Sequence, residues 1–272
     1  MPRIGATQLS FPSFRGATRL LVLVNLASFF LLAILGAANR DLFGWILIHT
    51  VFLPTAFLQG WVWLPLTYSF VQLGVLSTLG ALLSLWFLAG FLEGFQARDW
   101  VLMLYAISVV STAIAAVLIY LVSDVLRFKL EPIPLSGSFG GIFGLVVAIG
   151  ILYGDTEFML FPLPISIKAR YLAIIYGLVA IALLFGDLRM YAFAQLGGAL
   201  GGFAFIRMAP RRGVSFVFSE KWYGLRNGYY RWKRRRAAKK FEVYMRSQGR
   251  TVKFDGSGKQ LDEDQDDKKR WN

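Results

Sequence analysis

Long apolar stretches alternate with short charged ones over the first 208 residues. The uncharged runs contain 20, 51, 24, 23, 16 and 17 residues, and they occupy positions 20–39, 42–92, 100–123, 132–154, 171–186 and 190–206. A helix needs about 20 mostly apolar residues to cross the hydrocarbon core of a bilayer. The pattern therefore predicts an all-α membrane protein with several spans.

The 51-residue run does not fit a single helix, because Pro54, Gly60 and Pro65 interrupt it. Its first part, residues 42–58, is short and aromatic, which favours a loop half-embedded at the membrane interface. Residues 66–92 are expected to form the second span. The first span, starting near Leu20, is too long for the apolar part of a signal peptide and is expected to be retained.

Four further spans are predicted at about 100–123, 136–154, 168–186 and 190–208, which gives six crossings. With both termini on the cytoplasmic side, 11 basic residues near the spans lie inside and 4 lie outside. Basic residues are retained on the cytoplasmic side, so the bias favours this orientation. We expect a multi-pass protein of the inner or plasma membrane.

The composition agrees with a membrane protein and narrows its chemistry. Hydrophobic residues make up 56% of the chain and charged residues 17%, against about 45–50% and 25% in soluble domains. The chain has no cysteine and one histidine, His49. Thiolate catalysis and Cys- or His-rich metal sites are therefore excluded, and we expect no cofactor and no metal.

Two spans carry glycines at helical spacing. Lipid gives helices no hydrophobic reason to associate, so close backbone approach through glycine is a common alternative. The fourth and sixth spans are therefore expected to pack together through Gly137, Gly140, Gly141, Gly144, Gly197, Gly198, Gly201 and Gly202.

The same motifs resemble a known family. The sequence TYSFV at 67–71, GSFGGIFG at 137–144 and QLGGALGG at 195–202 are similar, in order and position, to motifs in the second, fourth and sixth spans of rhomboid intramembrane serine proteases. The likeness covers about residues 18–208. It implies a six-helix rhomboid-like bundle.

The catalytic residues of that family are replaced. Phe139 stands at the position of the serine nucleophile, and Gln195 at that of the activating histidine. The polar positions of the second span hold Gln72, Ser77 and Ala81. Ser138 lies one residue before the nucleophile position, about 100° around a helix, and a glutamine cannot serve as its base.

The resemblance therefore implies a non-proteolytic rhomboid-like protein that binds transmembrane segments of client proteins. In this interpretation Gln72 and Gln195 form hydrogen bonds between helices, and Phe139 fills the former active-site cavity. The alternative is a rhomboid-type intramembrane serine endopeptidase with non-standard residues. A transporter is disfavoured because no ionisable residue interrupts the spans.

The basic excess belongs to the C-terminal part of the chain. The net charge is +13, of which residues 209–272 contribute +10. Aromatic residues at helical spacing among basic ones favour a helix at an anionic membrane surface over nucleic-acid binding. The predicted contacts are Trp222, Trp232, Lys233, Arg234, Arg235, Arg236, Lys239 and Lys240. We divide the chain into a cytoplasmic segment 1–17, a membrane domain 18–208, an interfacial tail 209–250 and a disordered end 251–272.

Overall fold

The structure is a computed structural model that describes residues 12–125, 133–160, 165–186, 189–208 and 214–248. Among these residues the chain is almost entirely helical. The helices are α1 Gly16–Ala38, α2 Arg40–Thr50, α3 Pro54–Leu58, α4 Leu64–Thr67, α5 Val75–Glu93, α6 Arg98–Val125, α7 Phe139–Leu152, α8 Ala169–Leu183, α9 Arg189–Met208 and α10 Val214–Ser247. The chain forms two compact units, Met1–Arg211 and Arg212–Asn272.

Three described helices are long and apolar enough to cross a membrane: α1, α5 and residues 98–123 of α6. Helices α7 and α8 are apolar but shorter, with 14 and 15 residues. Between α7 and α8 lies an antiparallel hairpin of β1 Glu157–Leu160 and β2 Ile165–Lys168, in which Glu157 pairs with Lys168.

The bundle is built around α6, α7 and α9. Helix α9 packs along both α6 and α7, α1 packs on α5, α5 contacts α7, and α8 covers the outside of α7 and α9. Nine residues of α7 are buried, and several apolar side chains of α1 and α8 are exposed. Exposed apolar side chains on outer helices are what a lipid-facing surface requires.

The region predicted as the second span is divided in two. Residues 64–67 form α4, Tyr68–Phe70 a 3-10 turn, and α5 begins only at Val75. The prediction of one helix over 66–92 is wrong, because Gly74 has a φ of +90° that helical residues do not adopt. This break brings Gln72 into the interior instead of leaving it on a helix surface.

The segment before α7 is fixed by the loop between α2 and α3 and by the 3-10 turn before α5. Phe52 and Leu135 form an isolated antiparallel bridge, with N–H···O distances of 3.0 and 2.9 Å. Gly137 N–H donates to Tyr68 O at 3.0 Å. Gly137 therefore precedes α7 in a turn with a φ of +91°, which corrects the expectation that it lies on the same helix face as Gly140 and Gly144.

Candidate functional site

A buried hydrogen-bonded cluster joins three parts of the bundle. Asn25 comes from α1, Gln72 from the segment before α5, and Ser138 from the N-cap of α7. Gln72 Nε2 donates to Asn25 Oδ1 at 2.8 Å and to Ser138 Oγ at 3.2 Å. Asn25 Nδ2 donates to Leu21 O at 2.8 Å. All three side chains are at most 3% exposed, so the amide of Gln72 satisfies two buried acceptors.

Tyr105 of α6 completes the wall of this cluster. Its hydroxyl faces Asn25, Ser69 and Ser138. It is also the single buried side-chain polar atom, among the described residues, that has no hydrogen-bonding partner. Ser69 Oγ donates instead to Leu66 O at 2.9 Å. The cluster is therefore neutral and nearly closed, and it offers amide and hydroxyl groups but no ionisable base.

Ser138 is held by an amide, and the only histidine of the chain has other partners. It is the N-cap of α7, yet its side chain makes no capping bond, and its Oγ accepts from Gln72. His49 lies in α2, where its ring stacks between Trp45 and Trp61 with centroid distances of 4.2 and 4.8 Å. His49 Nδ1 lies 2.7 Å from Trp45 O. The histidine is thus held within its own aromatic cluster.

The other positions that the resemblance singled out lie on three helices, α5, α7 and α9. Phe139 is the first residue of α7 and is partly exposed. The expectation that it fills the former active-site cavity stays a prediction. Ser77 is exposed and donates to Leu73 O at 2.6 Å. Ala81 is fully buried. Gln195 is buried in α9, where its side chain interacts with the hydroxyl of Tyr191.

The glycines form a close junction among α6, α7 and α9. A Cβ at Gly202 would press on Gly144 Cα, and one at Gly198 on Gly140 O, so α7 and α9 meet backbone to backbone. The same glycines also face α6. A Cβ at Gly140 or Gly198 would collide with Thr112, and one at Gly144 with Ser108.

Sequence reasoning missed the third partner in this junction. Small residues of α6 occupy the spaces that the glycines leave, at the spacing i, i+3, i+4 and i+7: Ser108, Ser111, Thr112 and Ala115. That spacing is visible in the sequence, but it does not specify which helix these small residues contact. Asn25 was also missed, although it is the most polar residue within an otherwise apolar first span.

The basic and aromatic residues of α10 are intermixed. At about 100° per residue, Lys233 and Arg236 fall in the same sector as Tyr229 and Trp232. Arg236 stacks over the Trp232 ring at 4.1 Å. Helix α10 covers most of the predicted tail 209–250. Because the basic run KRRR at 233–236 covers a whole turn, basic and aromatic residues share the same sides of this helix.

The described residues bring no three His, Asp or Glu side chains together at a spacing that could hold a metal ion. The groups available at the candidate site are therefore amides, hydroxyls and backbone.

Buried glycine contacts, a neutral polar interior and lipid-compatible outer helices define a helical integral membrane protein. The family model described as eukaryotic integral membrane protein (DUF1751) matches residues 19–212, and the chain belongs to this family. No curated protein matches the chain.

Proposed function

We propose that this protein is a non-proteolytic, rhomboid-like membrane protein that binds transmembrane segments of client proteins. The motif resemblance supports the rhomboid-like part of this proposal. The observation that carries the non-proteolytic part is the bond from Gln72 Nε2 to Ser138 Oγ. Through this bond Ser138, the serine next to the nucleophile position, has a hydrogen-bond donor as its partner. A nucleophilic serine needs an adjacent proton acceptor instead.

Client binding needs an apolar surface that another helix can approach closely. The outer face of α5, which we define as Leu76, Ser77, Gly80 and Ser84, has these properties. Leu76 is 85% exposed, and a Cβ at Gly80 would meet no atom within 4 Å. Gly80 and Ser84 form a small-xxx-small pair, the spacing at which helices associate in lipid. We propose that client helices dock along this face.

The test is photo-crosslinking in cells from a benzoylphenylalanine placed at Leu76. We expect adducts that map to transmembrane segments of other membrane proteins. Gly80→Leu should reduce them about fivefold, because it removes a close approach that contributes about 1 kcal/mol. Gly177→Leu on α8 is the matched control, since a Cβ there also meets open space. It should leave the adducts unchanged.

Equal losses in both variants, or adducts only with soluble proteins, would contradict the docking face. The absence of proteolytic activity is tested separately, by labelling with a fluorophosphonate probe. Purified protein should not react with a fluorophosphonate probe. Labelling that disappears in Ser138→Ala would show that the alternative, a serine endopeptidase, is correct.

A further inference from the structure

An apolar groove runs between α1 and α5. None of the residues that line it belongs to the proposed client face. Its lining residues are Phe14, Val22, Leu79, Leu82, Leu83 and Trp86, and its volume is about 310 Å³. The groove opens sideways, because Phe14, Leu79 and Leu83 are each 45–59% exposed. The polar atom of its lining, Trp86 Nε1, donates to Pro12 O at 3.2 Å. The interior of the groove therefore suits a hydrocarbon chain.

Two arginines lie at the end of this groove that is nearest the N-terminus. Arg15 follows Phe14 directly and is the N-cap of α1. Arg19 precedes Val22 by three residues, so it lies one turn nearer that end and on the same side of α1. Both are exposed, and neither forms an ion pair with any acidic residue in the described ranges.

One acidic residue at this end, Glu93, is already engaged. Glu93, the last residue of α5, accepts hydrogen bonds from the backbone N–H groups of Ala17 and Thr18 and from Thr18 Oγ1. A carboxylate at a helix N-terminus is stabilised by the unpaired N–H groups there. Glu93 thus joins α1 to α5 and leaves Arg15 and Arg19 to face solvent or headgroups.

We propose that the groove binds one acyl chain of an anionic phospholipid whose phosphate and headgroup contact Arg15 and Arg19. A hydrocarbon-sized groove and a cationic mouth match the two ends of such a lipid. The charge bias predicts that this end faces the cytoplasm, where the leaflet contains anionic lipids. Each arginine is expected to raise the affinity about fivefold.

The test uses the quenching of Trp86 fluorescence by lipids with brominated acyl chains. The full chain is placed in phosphatidylcholine nanodiscs that contain increasing fractions of brominated phosphatidylserine or brominated phosphatidylcholine. The difference between wild type and Trp86→Phe isolates the signal of Trp86 from the other 7 tryptophans. We expect brominated phosphatidylserine to reach half-maximal quenching at a lipid fraction at least roughly tenfold lower than brominated phosphatidylcholine requires.

Arg15→Gln with Arg19→Gln should abolish this preference while the neutral lipid still quenches. Arg40→Gln, at the start of α2, is the control and should keep the preference. Equal quenching by the two lipids, or a preference that survives the double substitution, would overturn the proposal. The proposal would also be overturned if neither lipid quenched the full chain but both did so after deletion of residues 2–11. That result would mean that the chain itself fills the groove.

Discussion

One amide group, that of Gln72, is the hydrogen-bond donor to two other buried side chains, Asn25 and Ser138. The Nε2 of Gln72 donates to the other two side chains. A buried acceptor that loses its donor costs more than the bond itself contributes, because no water replaces the donor. The three elements that carry these residues are therefore coupled through Gln72.

Gln72→Leu tests this coupling. It should lower the free energy of unfolding by about 1–2 kcal/mol, because Asn25 Oδ1 and Ser138 Oγ both lose a donor. Ser138→Ala keeps the bond between Gln72 and Asn25, and it should cost less than about 1 kcal/mol. Steric trapping in bicelles measures both values. Equal stabilities of the two variants would show that the amide is not shared as described.

The motif resemblance implied that Gln72 forms a hydrogen bond between helices, and Gln72 does bond to Asn25 of α1, but the sequence could not predict that Ser138 shares the same amide. Gln72 was expected on a helix of the second span, and Ser138 on a helix face turned away from the site. Both expectations assumed continuous helices. The positive φ angles of Gly74 and Gly137 break those helices and place both side chains inside. Such breaks depend on tertiary contacts, such as the bridge between Phe52 and Leu135, that no local pattern specifies.

At the scale of elements, the junction of α6, α7 and α9 could be predicted in part from the sequence. Glycine spacing indicated that the fourth and sixth spans carry close-packing residues. It could not reveal that α6 is the common neighbour, because hydroxyl residues in an apolar helix have several uses. In the structure Ser108 and Thr112 bond to their own helix, to Leu104 O and Ser108 O at 2.8 Å each, and so need no partner across the junction.

Helix α10 is predicted to bind anionic membrane surfaces. A peptide of residues 214–247 should bind vesicles that contain anionic lipid, and replacing Lys233, Arg234, Arg235 and Arg236 by Gln should weaken binding by two to three orders of magnitude, roughly, at low salt. Fluorescence titration measures this effect. Trp232→Ala is the control and should weaken binding to neutral and anionic vesicles alike.

The alternative partner of α10 has a distinct result. Equal binding of the unaltered peptide to neutral and anionic vesicles would contradict the lipid proposal. Tighter binding to single-stranded RNA than to anionic vesicles would favour nucleic acid, since aromatic and basic residues together also stack on bases and contact phosphates.

At the scale of the whole molecule, the number of crossings stays a prediction. Length and hydropathy identify α1, α5 and α6 as candidate spans. Helices α7 and α9 lie inside the bundle, where glycine replaces the large apolar side chains that lipid-facing helices need. A central helix can therefore be short or weakly apolar and still belong to the membrane domain.

Accessibility of introduced cysteines tests the six-crossing arrangement, and the absence of native cysteine makes each substitution an isolated reporter. Ser13→Cys, Glu157→Cys and Ser247→Cys should react with an impermeant maleimide from the cytoplasmic side only. Gln59→Cys should react from the opposite side only. Labelling of Ser13→Cys and Ser247→Cys from different sides would mean an odd number of crossings, and the rhomboid alignment would then be wrong.

The length of α8 has a consequence for the surrounding bilayer. With 15 residues α8 is about 22 Å long, whereas a hydrocarbon core is about 30 Å thick, and α1 with 23 residues is about 34 Å long. Ile174 and Leu178 are exposed on α8, so no other helix separates them from the surroundings. If α8 crosses the membrane, lipid contacts it directly, and the mismatch favours a thinner bilayer beside α8 than beside α1. Hydrophobic mismatch would then be uneven around the molecule, and neighbours with short spans would be favoured on the α8 side.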